Sequence, residues 1–311
     1  MAEPAHEAAG ETLAIDLTAV IVAVTADEPR VLAIDGGRAL PSGPFQSRHR
    51  TLHMGVRSWV EEQTQHKLGY VEQLYTFADR DRTRDGASER VISISYLGLA
   101  RERGGASDAG WYNWYRYFPW EDWRPGPPKL MASAIAPRLK HWALEAPRDL
   151  RRERRERIEV AFATAGRGWN EEFVLQRYEL LWEAGLVPEA GRGRPVADPL
   201  PGTPMNHDHR RILATGIARL RAKIKYRPVV FELMPESFTL LQLQRAVEAL
   251  AGQSLHKQNF RRLIEQQGLV EDTGEVSTET GGRPAKLFRF RRELLAERTA
   301  AGTKLPLYRS G

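Results

Sequence analysis

The sequence predicts an α+β protein of two domains, in which a strand-rich N-terminal domain precedes a C-terminal domain of three helices and a β-hairpin. Its 311 residues suit about two globular domains, and 41% hydrophobic with 28% charged residues is typical of a folded chain. Along the chain, stretches of strand character alternate with apolar residues at helical spacing. The positive charge is also unevenly distributed, which separates the last third from the rest.

Composition excludes several classes of protein. The longest apolar run, Leu13 to Val24, is shorter than the roughly 20 residues of a membrane span, and acidic rather than basic residues precede it. We therefore expect neither a signal peptide nor a transmembrane helix. The chain has no cysteine, which excludes disulfides, thiolate metal sites and a cysteine nucleophile and fits a cytoplasmic protein.

The N-terminal domain is predicted from β-branched and aliphatic segments. Four of them read as strands, at residues 12–24, 30–34, 71–78 and 91–99. Residues 51–68 place Leu52, Val56 and Val60 at helical spacing, with polar residues between them. The turn signal Leu40-Pro-Ser-Gly-Pro44 comes before this helix, so the order is strand, strand, tight loop, helix, strand, strand.

This loop and helix resemble the Nudix box. Aligned on Arg57, the matching positions are Gly43, Arg57, Glu61 and Glu62, with Trp59 at the aliphatic position. The departures are His49 for the first glutamate, Ser58 for the glutamate after the arginine, and Thr64 for the final glycine. The resemblance implies a Nudix-like α/β/α sandwich that takes a nucleotide. In active members, helix carboxylates hold Mg²⁺ against a diphosphate, because a hard cation prefers oxygen ligands.

The departures bear on activity. Without a carboxylate at Ser58, Glu61 and Glu62 are expected to hold at most one Mg²⁺ weakly, so the domain should bind its nucleotide more readily than it cleaves it. The alternative is that both glutamates only form the solvated side of an amphipathic helix. The ligand-binding residues implied by the box are Pro41, Gly43, Phe45, Arg57, Glu61 and Glu62.

A dense aromatic segment follows the strands, within a predicted insertion at residues 101–128. Residues 111–123 hold eight aromatics in thirteen positions. They could stack on a nucleotide ring, form a dimer contact, or pack onto their own domain, and we favour either kind of packing over ligand contact. Helices are predicted at 148–162 and 169–187, and the Pro- and Gly-rich residues 188–205 read as a linker.

The net charge of +6 arises in the C-terminal third. Residues 205–292 contain 16 Lys and Arg against 9 Asp and Glu, a balance of +7, whereas the remainder has 30 against 31. Confined positive charge indicates a polyanionic partner for that segment, since neutralisation of phosphates drives nucleic-acid binding. A solvated basic surface is the alternative.

The C-terminal elements predict a winged helix-turn-helix. Residues 210–226 form a first helix, whose basic residues are expected on its surface. A second helix begins at a capping box, Thr239 with Gln242, and ends at Gly252. A third covers residues 256–267. Residues 269–276 and 285–291, with a Gly-rich tip at 280–284, form a hairpin.

The third helix and the hairpin carry side chains suited to DNA. Arg, Lys, Gln and Asn pair with phosphates and with base edges in the major groove. The predicted contacts are Lys257, Gln258, Asn259, Arg261 and Arg262 on the helix, and Arg283 and Lys286 on the wing. The alternative is a winged helix used for protein contacts, with these residues in surface ion pairs.

Residues 227–290, from RPVVFELMPESF through QNFRRLIEQQGLV to GGRPAKLFRF, resemble the C-terminal domain of the Nudix-related transcriptional regulators of NAD metabolism. The resemblance implies a homodimeric repressor that leaves its double-stranded DNA operator when ADP-ribose or a related nucleotide binds. It implies no required cofactor, with Mg²⁺ relevant only to residual hydrolysis. The alternatives are a Mg²⁺-dependent Nudix hydrolase and a protein-binding adaptor. Predicted boundaries are 11–187 for the sensor, 188–205 for the linker, 206–292 for the winged helix and 293–311 for a tail.

Overall fold

The computed structural model describes residues 13–78, 90–102, 109–277 and 284–291. The described strands are β1 (Leu13–Thr25), β2 (Glu28–Ala33), β3 (Ser42–Pro44), β4 (Tyr70–Phe77), β5 (Arg90–Leu99), β6 (Gly110–Asn113), β7 (Val270–Ser277) and β8 (Ala285–Phe290). The α-helices are α1 (Leu52–Thr64), α2 (Ala136–Glu145), α3 (Arg148–Ala161), α4 (Val174–Glu183), α5 (His209–Ile224), α6 (Leu240–Ala251) and α7 (Lys257–Gln267).

A mixed six-stranded sheet organises the N-terminal part. Its strand order is β4-β5-β1-β2-β6, and β3 also pairs with β1. The central pair, β1 and β5, is parallel over ten residues, and the other pairs in the sheet are antiparallel. The four predicted strands are confirmed. The short strands β3 and β6 were not predicted.

The sheet is covered on both faces. On one face, Val56 and Val60 of α1 pack against Leu17, Ala19 and Ile21 of β1. Alternate residues of the same strand, including Val20 and Val22, join the larger core on the other face, because side chains along a strand point in opposite directions.

Helix α5 covers that second face at very close range. A Cβ at Gly216 would lie only 2.8 Å from the Val20 side chain, so the helix backbone sits directly on the strand. The predicted α/β/α sandwich is confirmed.

The aromatic segment is part of the core. It begins as edge strand β6, which pairs with β2, so part of the predicted insertion at residues 101–128 belongs to the sheet. Trp114, Tyr117, Phe118 and Trp120 are fully buried and belong to the larger core. Packing onto its own chain is therefore confirmed, and these four rings have no surface to offer a ligand.

The basic residues of α5 were expected to lie on the protein surface, and this expectation is wrong for three of them. Arg210 and Arg221 are 0% exposed and Lys223 is 7% exposed. Because α5 lies between the sheet and the C-terminal helices, it has little solvent-facing side.

The C-terminal elements form a winged helix. A short 3-10 helix at Val229–Leu233 precedes α6, and β7 pairs with β8 as an antiparallel hairpin. The capping box of Thr239 and Gln242 is present, and Gly252 ends α6 in the left-handed region with φ of 71°. Phe260 and Ile264 of α7 are buried against this core. The predicted order of three helices followed by a hairpin is confirmed, as α5, α6, α7, β7 and β8.

The predicted linker is anchored at its end. Leu200 and Met205 are buried, and the Met205 amide donates to the Glu189 carboxylate at 3.0 Å. The domain boundaries stay predictions. Among the helices of the described ranges, none combines the length and apolar character needed to cross a membrane.

Candidate ligand and nucleic-acid sites

The box arginine secures the end of its own helix. Thr51 caps α1 by accepting a hydrogen bond from the Met54 amide. From the middle of α1, the Arg57 guanidinium donates to the carbonyls of Leu68 and Gly69, the latter at 2.7 Å. Arg57 therefore fixes the connection between α1 and β4.

Gly43 and Trp59 form a second structural contact. A Cβ at Gly43 would lie 2.4 Å from the Trp59 ring, so only glycine allows this approach. The Trp59 indole donates to the Pro44 carbonyl at 2.9 Å, and the Phe45 amide donates to the Ile15 carbonyl at 2.7 Å. Together these bonds fix the box loop between α1 and β1.

The two box glutamates are engaged by neighbouring side chains. Glu61 pairs with Lys67 at 3.7 Å, and Glu62 accepts from Ser58 at 2.8 Å and from Arg48 at 3.5 Å. All five side chains are at least partly exposed, so the pairs are weak individually. The predicted contacts Glu61 and Glu62 nevertheless face cations of the chain.

These residues do not fit a Nudix Mg²⁺ cluster. Ser58 supplies a hydroxyl where a carboxylate is needed, and it donates that hydroxyl to Glu62. Within the ranges that the structure describes, no group of three or more His, Cys, Asp or Glu residues could hold a metal ion. A hard divalent ion requires several oxygen ligands together, which this helix does not provide.

The other two departures from the box are buried. His49 is 8% exposed, and its Nδ1 accepts a hydrogen bond from the Gln46 amide at 3.1 Å. The ring stands edge-on to Trp59, with centroids 6.1 Å apart. Thr64 is fully buried and donates to the Val60 carbonyl. Both residues stabilise the fold of the box segment.

The six predicted ligand residues lie on one continuous loop and helix. Pro41 precedes β3 and its carbonyl accepts from the Ala19 amide at 2.9 Å. Gly43 lies in β3, and Phe45 follows that strand. Phe45 is partly buried against the α1-side core and the glutamates are exposed. Which of these residues contact a ligand stays a prediction.

The third C-terminal helix presents an open polar face. The predicted contacts of α7 are all exposed: Lys257, Gln258, Asn259, Arg261 and Arg262. Considering only the described residues, the structure shows no ion pair for Lys257, Arg261 or Arg262. Three cations with a Gln and an Asn on one short helix can contact phosphates and base edges.

Strands β7 and β8 of the hairpin carry three acidic and two basic residues, and both basic residues are paired. Lys286 pairs with Asp272 at 2.7 Å, and Arg289 pairs with Glu271 across the same two strands. The hydrogen bond and charge of Asp272 raise the pKa of Lys286. Arg283 of the predicted tip lies outside the described residues.

Other basic residues of the C-terminal third are also paired. Arg211 contacts Glu179 at 2.8 Å, Lys225 contacts Glu171 at 2.5 Å, and Arg245 contacts Asp27 at 2.9 Å. Many of the basic residues counted from the sequence are therefore buried or paired with acidic side chains. In the described part of the chain, the three cations of α7 are exposed without an ion pair, and so are Arg219 of α5 and Arg227.

A buried ionic cluster joins three parts of the chain. Glu121, from the aromatic segment, accepts from Arg177 of α4 at 2.6 and 2.8 Å and from Arg221 of α5 at 2.7 Å. Arg221 also donates to the Leu250 carbonyl, in the last turn of α6, at 2.9 Å. The sequence analysis did not find this cluster, because its members are 44 to 100 residues apart.

Comparison with known proteins identifies the C-terminal unit. The profile of the NrtR DNA-binding winged helix domain matches residues 230–290, a segment that excludes α5. The chain is 42% identical over 83 residues to the ADPR responsive transcriptional repressor NtrR of Acinetobacter baylyi. That match covers 27% of this chain and spans 33% of the length of the relative.

Solved structures share the whole architecture. NrtR of Shewanella oneidensis, crystallised with a 27mer DNA, matches with a TM-score of 0.54 and 20% identity over 91% of this chain and 95% of that one. A MutT/nudix family protein from Enterococcus faecalis matches with a TM-score of 0.52 and 15% identity over 94% and 90% of the two chains. The chain thus has the fold of a Nudix domain followed by a winged helix domain, and residues 230–290 resemble the winged helix of NrtR.

Proposed function

We propose that this protein is a DNA-binding transcriptional repressor whose Nudix-type domain senses ADP-ribose or a related nucleotide. The observation that carries the proposal is the open face of α7. Five exposed side chains able to contact DNA stand on the third helix of a winged helix, while most other basic residues of that region are buried or ion-paired. Such a helix enters the major groove in this class of domain.

The contacts divide by chemistry. Lys257, Arg261 and Arg262 neutralise phosphates or bind guanine edges, and Gln258 and Asn259 are suited to adenine. The wing residues Lys286 and Arg283 contact the backbone beside the helix. Because Lys286 is already paired with Asp272, we expect it to contribute less than an unpaired cation of α7.

ADP-ribose is proposed as the effector on the strength of the repressor NtrR, which is described as ADPR responsive, and of the Nudix-type fold. The proposed binding residues are Pro41, Gly43, Phe45, Arg57, Glu61 and Glu62. We propose that binding requires no cofactor and no Mg²⁺, because the donor set of α1 does not suit a metal cluster. Release of the ligand unchanged is then the normal outcome, with Mg²⁺ relevant only to residual hydrolysis.

The repressor is further proposed to act in the cytoplasm as a homodimer on double-stranded DNA, at genes of NAD metabolism. The resemblance to regulators of NAD metabolism supports this assignment. Two copies of α7 would read two half-sites about one helical turn apart. For nucleotide to release the DNA, it must bind more tightly to a DNA-incompetent arrangement of the two domains.

A gel-shift titration tests the proposal. Labelled DNA from upstream of the protein's own gene is bound first without nucleotide and then with increasing ADP-ribose. We expect a specific complex that ADP-ribose dissolves. A complex unchanged at saturating ADP-ribose would remove the sensing function, and absent or salt-insensitive DNA binding would favour a protein-binding adaptor.

A parallel assay addresses the hydrolase alternative. ADP-ribose is incubated with the protein and Mg²⁺, and released phosphomonoester is detected with a phosphatase. We expect negligible turnover. Robust turnover that Glu61→Gln abolishes would establish the hydrolase instead.

A further inference from the structure

Helix α5 touches both halves of the molecule. Gly216 packs on Val20 of the central strand, whereas Arg221 binds the end of α6 in the winged helix. A repressor of the proposed kind needs a physical link between its nucleotide domain and its DNA-reading helix. Two buried cations of α5, Arg221 and Lys223, provide a candidate contact at each end of such a link.

The first contact joins α5 to the start of β4. The Lys223 ammonium donates to the Tyr70 hydroxyl and the Glu72 carboxylate, and Tyr70 donates to Glu72 at 2.7 Å. Lys223 is only 7% exposed. Burial raises the pKa of Tyr70, and the hydrogen bond to Glu72 adds to this effect, so the phenol stays protonated as a donor.

This contact lies directly beside the box helix. Tyr70 follows Leu68 and Gly69, whose carbonyls accept from Arg57 of α1. A change in the position of α1 therefore reaches Tyr70 through a single hydrogen-bonded turn of the chain. Lys223 is the next group in contact.

The second contact joins α5 to the winged helix. Arg221 donates to the Leu250 carbonyl of α6 at 2.9 Å and to Glu121 at 2.7 Å. Gly252 follows, and a Cβ there would lie 2.7 Å from the Arg221 guanidinium, so the α6 terminus is closely fitted around this side chain. Helix α7 begins at Lys257, a few residues later.

The geometry of the helix explains why neighbouring residues reach opposite partners. At about 100° per residue, positions 221 and 223 project about 160° apart around the axis. One side chain thus faces β4 and the other faces the α6 terminus. A rotation or shift of α5 moves both contacts together, because packed helices move as rigid units.

We propose that α5 couples nucleotide binding to DNA release, with the Tyr70–Glu72–Lys223 contact as the input and the Arg221–Leu250 contact as the output. The proposal rests on the proposed function, since it concerns how ADP-ribose bound to the Nudix-type domain acts on the winged helix. Tyr70, Glu72 and Lys223 are positioning residues, which touch neither nucleotide nor DNA.

The proposal is tested by measuring a coupling factor, which is the ratio of the DNA dissociation constants with and without saturating ADP-ribose. It is measured on the full chain for the wild type and for the Tyr70→Phe and Glu72→Gln variants. We expect each variant to keep both separate affinities within about twofold, while the coupling factor falls about fivefold or more. A merely structural role would change the separate affinities or stability and leave the ratio intact.

The matched control is Tyr75→Phe. Tyr75 lies on the same strand and is 54% exposed, so losing its hydroxyl should leave the coupling factor at the wild-type value. Hydrogen exchange of the wild-type protein supplies a reading that needs no variant. ADP-ribose is expected to alter exchange at amides of residues 68–72 and 247–252 together.

The outcomes separate the two proposals. If the Tyr70→Phe and Glu72→Gln variants show the same coupling factor as the wild type, the role of α5 is overturned. The repressor function would still stand. If both variants fail to fold, unchanged exchange at residues 247–252 on adding ADP-ribose overturns it. A wild-type coupling factor of one would overturn the proposed function, and the inference with it.

Discussion

The open cations of α7 predict a specific salt dependence of DNA binding. Lys257, Arg261 and Arg262 are exposed and show no ion pair in the described part of the chain. Each phosphate neutralised contributes about −0.9 to the slope of log K against log salt concentration, so three cations contribute about −2.7 per protomer. Replacing all three with alanine should remove that share of the slope.

This slope converts into a measurable difference in affinity. For a fourfold rise in salt, a slope of about −2.7 corresponds to a loss of roughly 40-fold for each protomer bound, which the triple variant should no longer show. Fluorescence anisotropy of labelled operator DNA, read at several salt concentrations, measures both slopes. Circular dichroism confirms that the variant is folded.

A control at a surface arginine outside α7 tests whether the loss of a positive charge elsewhere changes the slope. Arg152→Ala removes one positive charge from α3, where Arg152 is exposed and pairs with Glu156. Its slope should equal that of the wild type, because screening limits exposed charges to about 10 Å. A triple variant with the wild-type slope would refute the assignment of α7 as the DNA-reading helix.

Three further predictions concern the fold. Glu121→Gln leaves Arg177 and Arg221 without their buried charge partner. It should lower the free energy of unfolding, measured in urea, by about 3–5 kcal/mol. The control Glu156→Gln, at an exposed ion pair, should lower it by under about 0.5 kcal/mol. Gly43→Ala should lower the free energy of unfolding by about 1–3 kcal/mol, because the new Cβ would meet the Trp59 ring. The control Gly69→Ala should lower it less, since no atom lies within 4 Å of a Cβ there. Equal losses of stability in the two variants would contradict the contact between Gly43 and Trp59. Burial opposes ionisation of Glu72, but hydrogen bonds from Lys223 and Tyr70 outweigh it and lower its pKa, so the stability from this carboxylate is lost as pH falls below 4.5. A Glu72→Gln variant should show a shallower decline in that range, and an unchanged acid profile would count against the contact.

The winged helix could be predicted because its signals are local. Thr239 and Gln242 are three residues apart and cap α6 as the sequence indicates. Gly252 ends the helix where a left-handed residue is needed. The spacing of Phe260 and Ile264 also identifies the buried side of α7, which leaves its polar residues outside.

The burial of α5 could not be predicted from its pattern alone. An amphipathic pattern assigns Arg210, Arg221 and Lys223 to solvent, but a helix between two layers has little solvent side. Their partners, such as Glu121 and Glu72, lie far away in sequence, so no spacing rule reveals them. Gly216 was the available hint, since a glycine inside a helix often marks close packing.

The unpredicted elements are short or begin ambiguously. Strand β3 has three residues and β6 has four, which is too little for a periodic pattern. Helix α2 contains Pro137, which reads as a break although proline is compatible with the first helical turn. At the box, the sequence located Gly43 and Arg57 but did not reveal that they support Trp59 and the α1–β4 connection.

The most direct test follows DNA and nucleotide in one cuvette. ADP-ribose is added with Mg²⁺ to the complex of the protein and labelled operator DNA, and anisotropy is recorded over time. Ligand sensing without hydrolysis predicts that anisotropy falls and stays low, because the released protein does not consume its effector. Anisotropy that never falls, or that falls and then recovers as ADP-ribose is cleaved, would contradict the account.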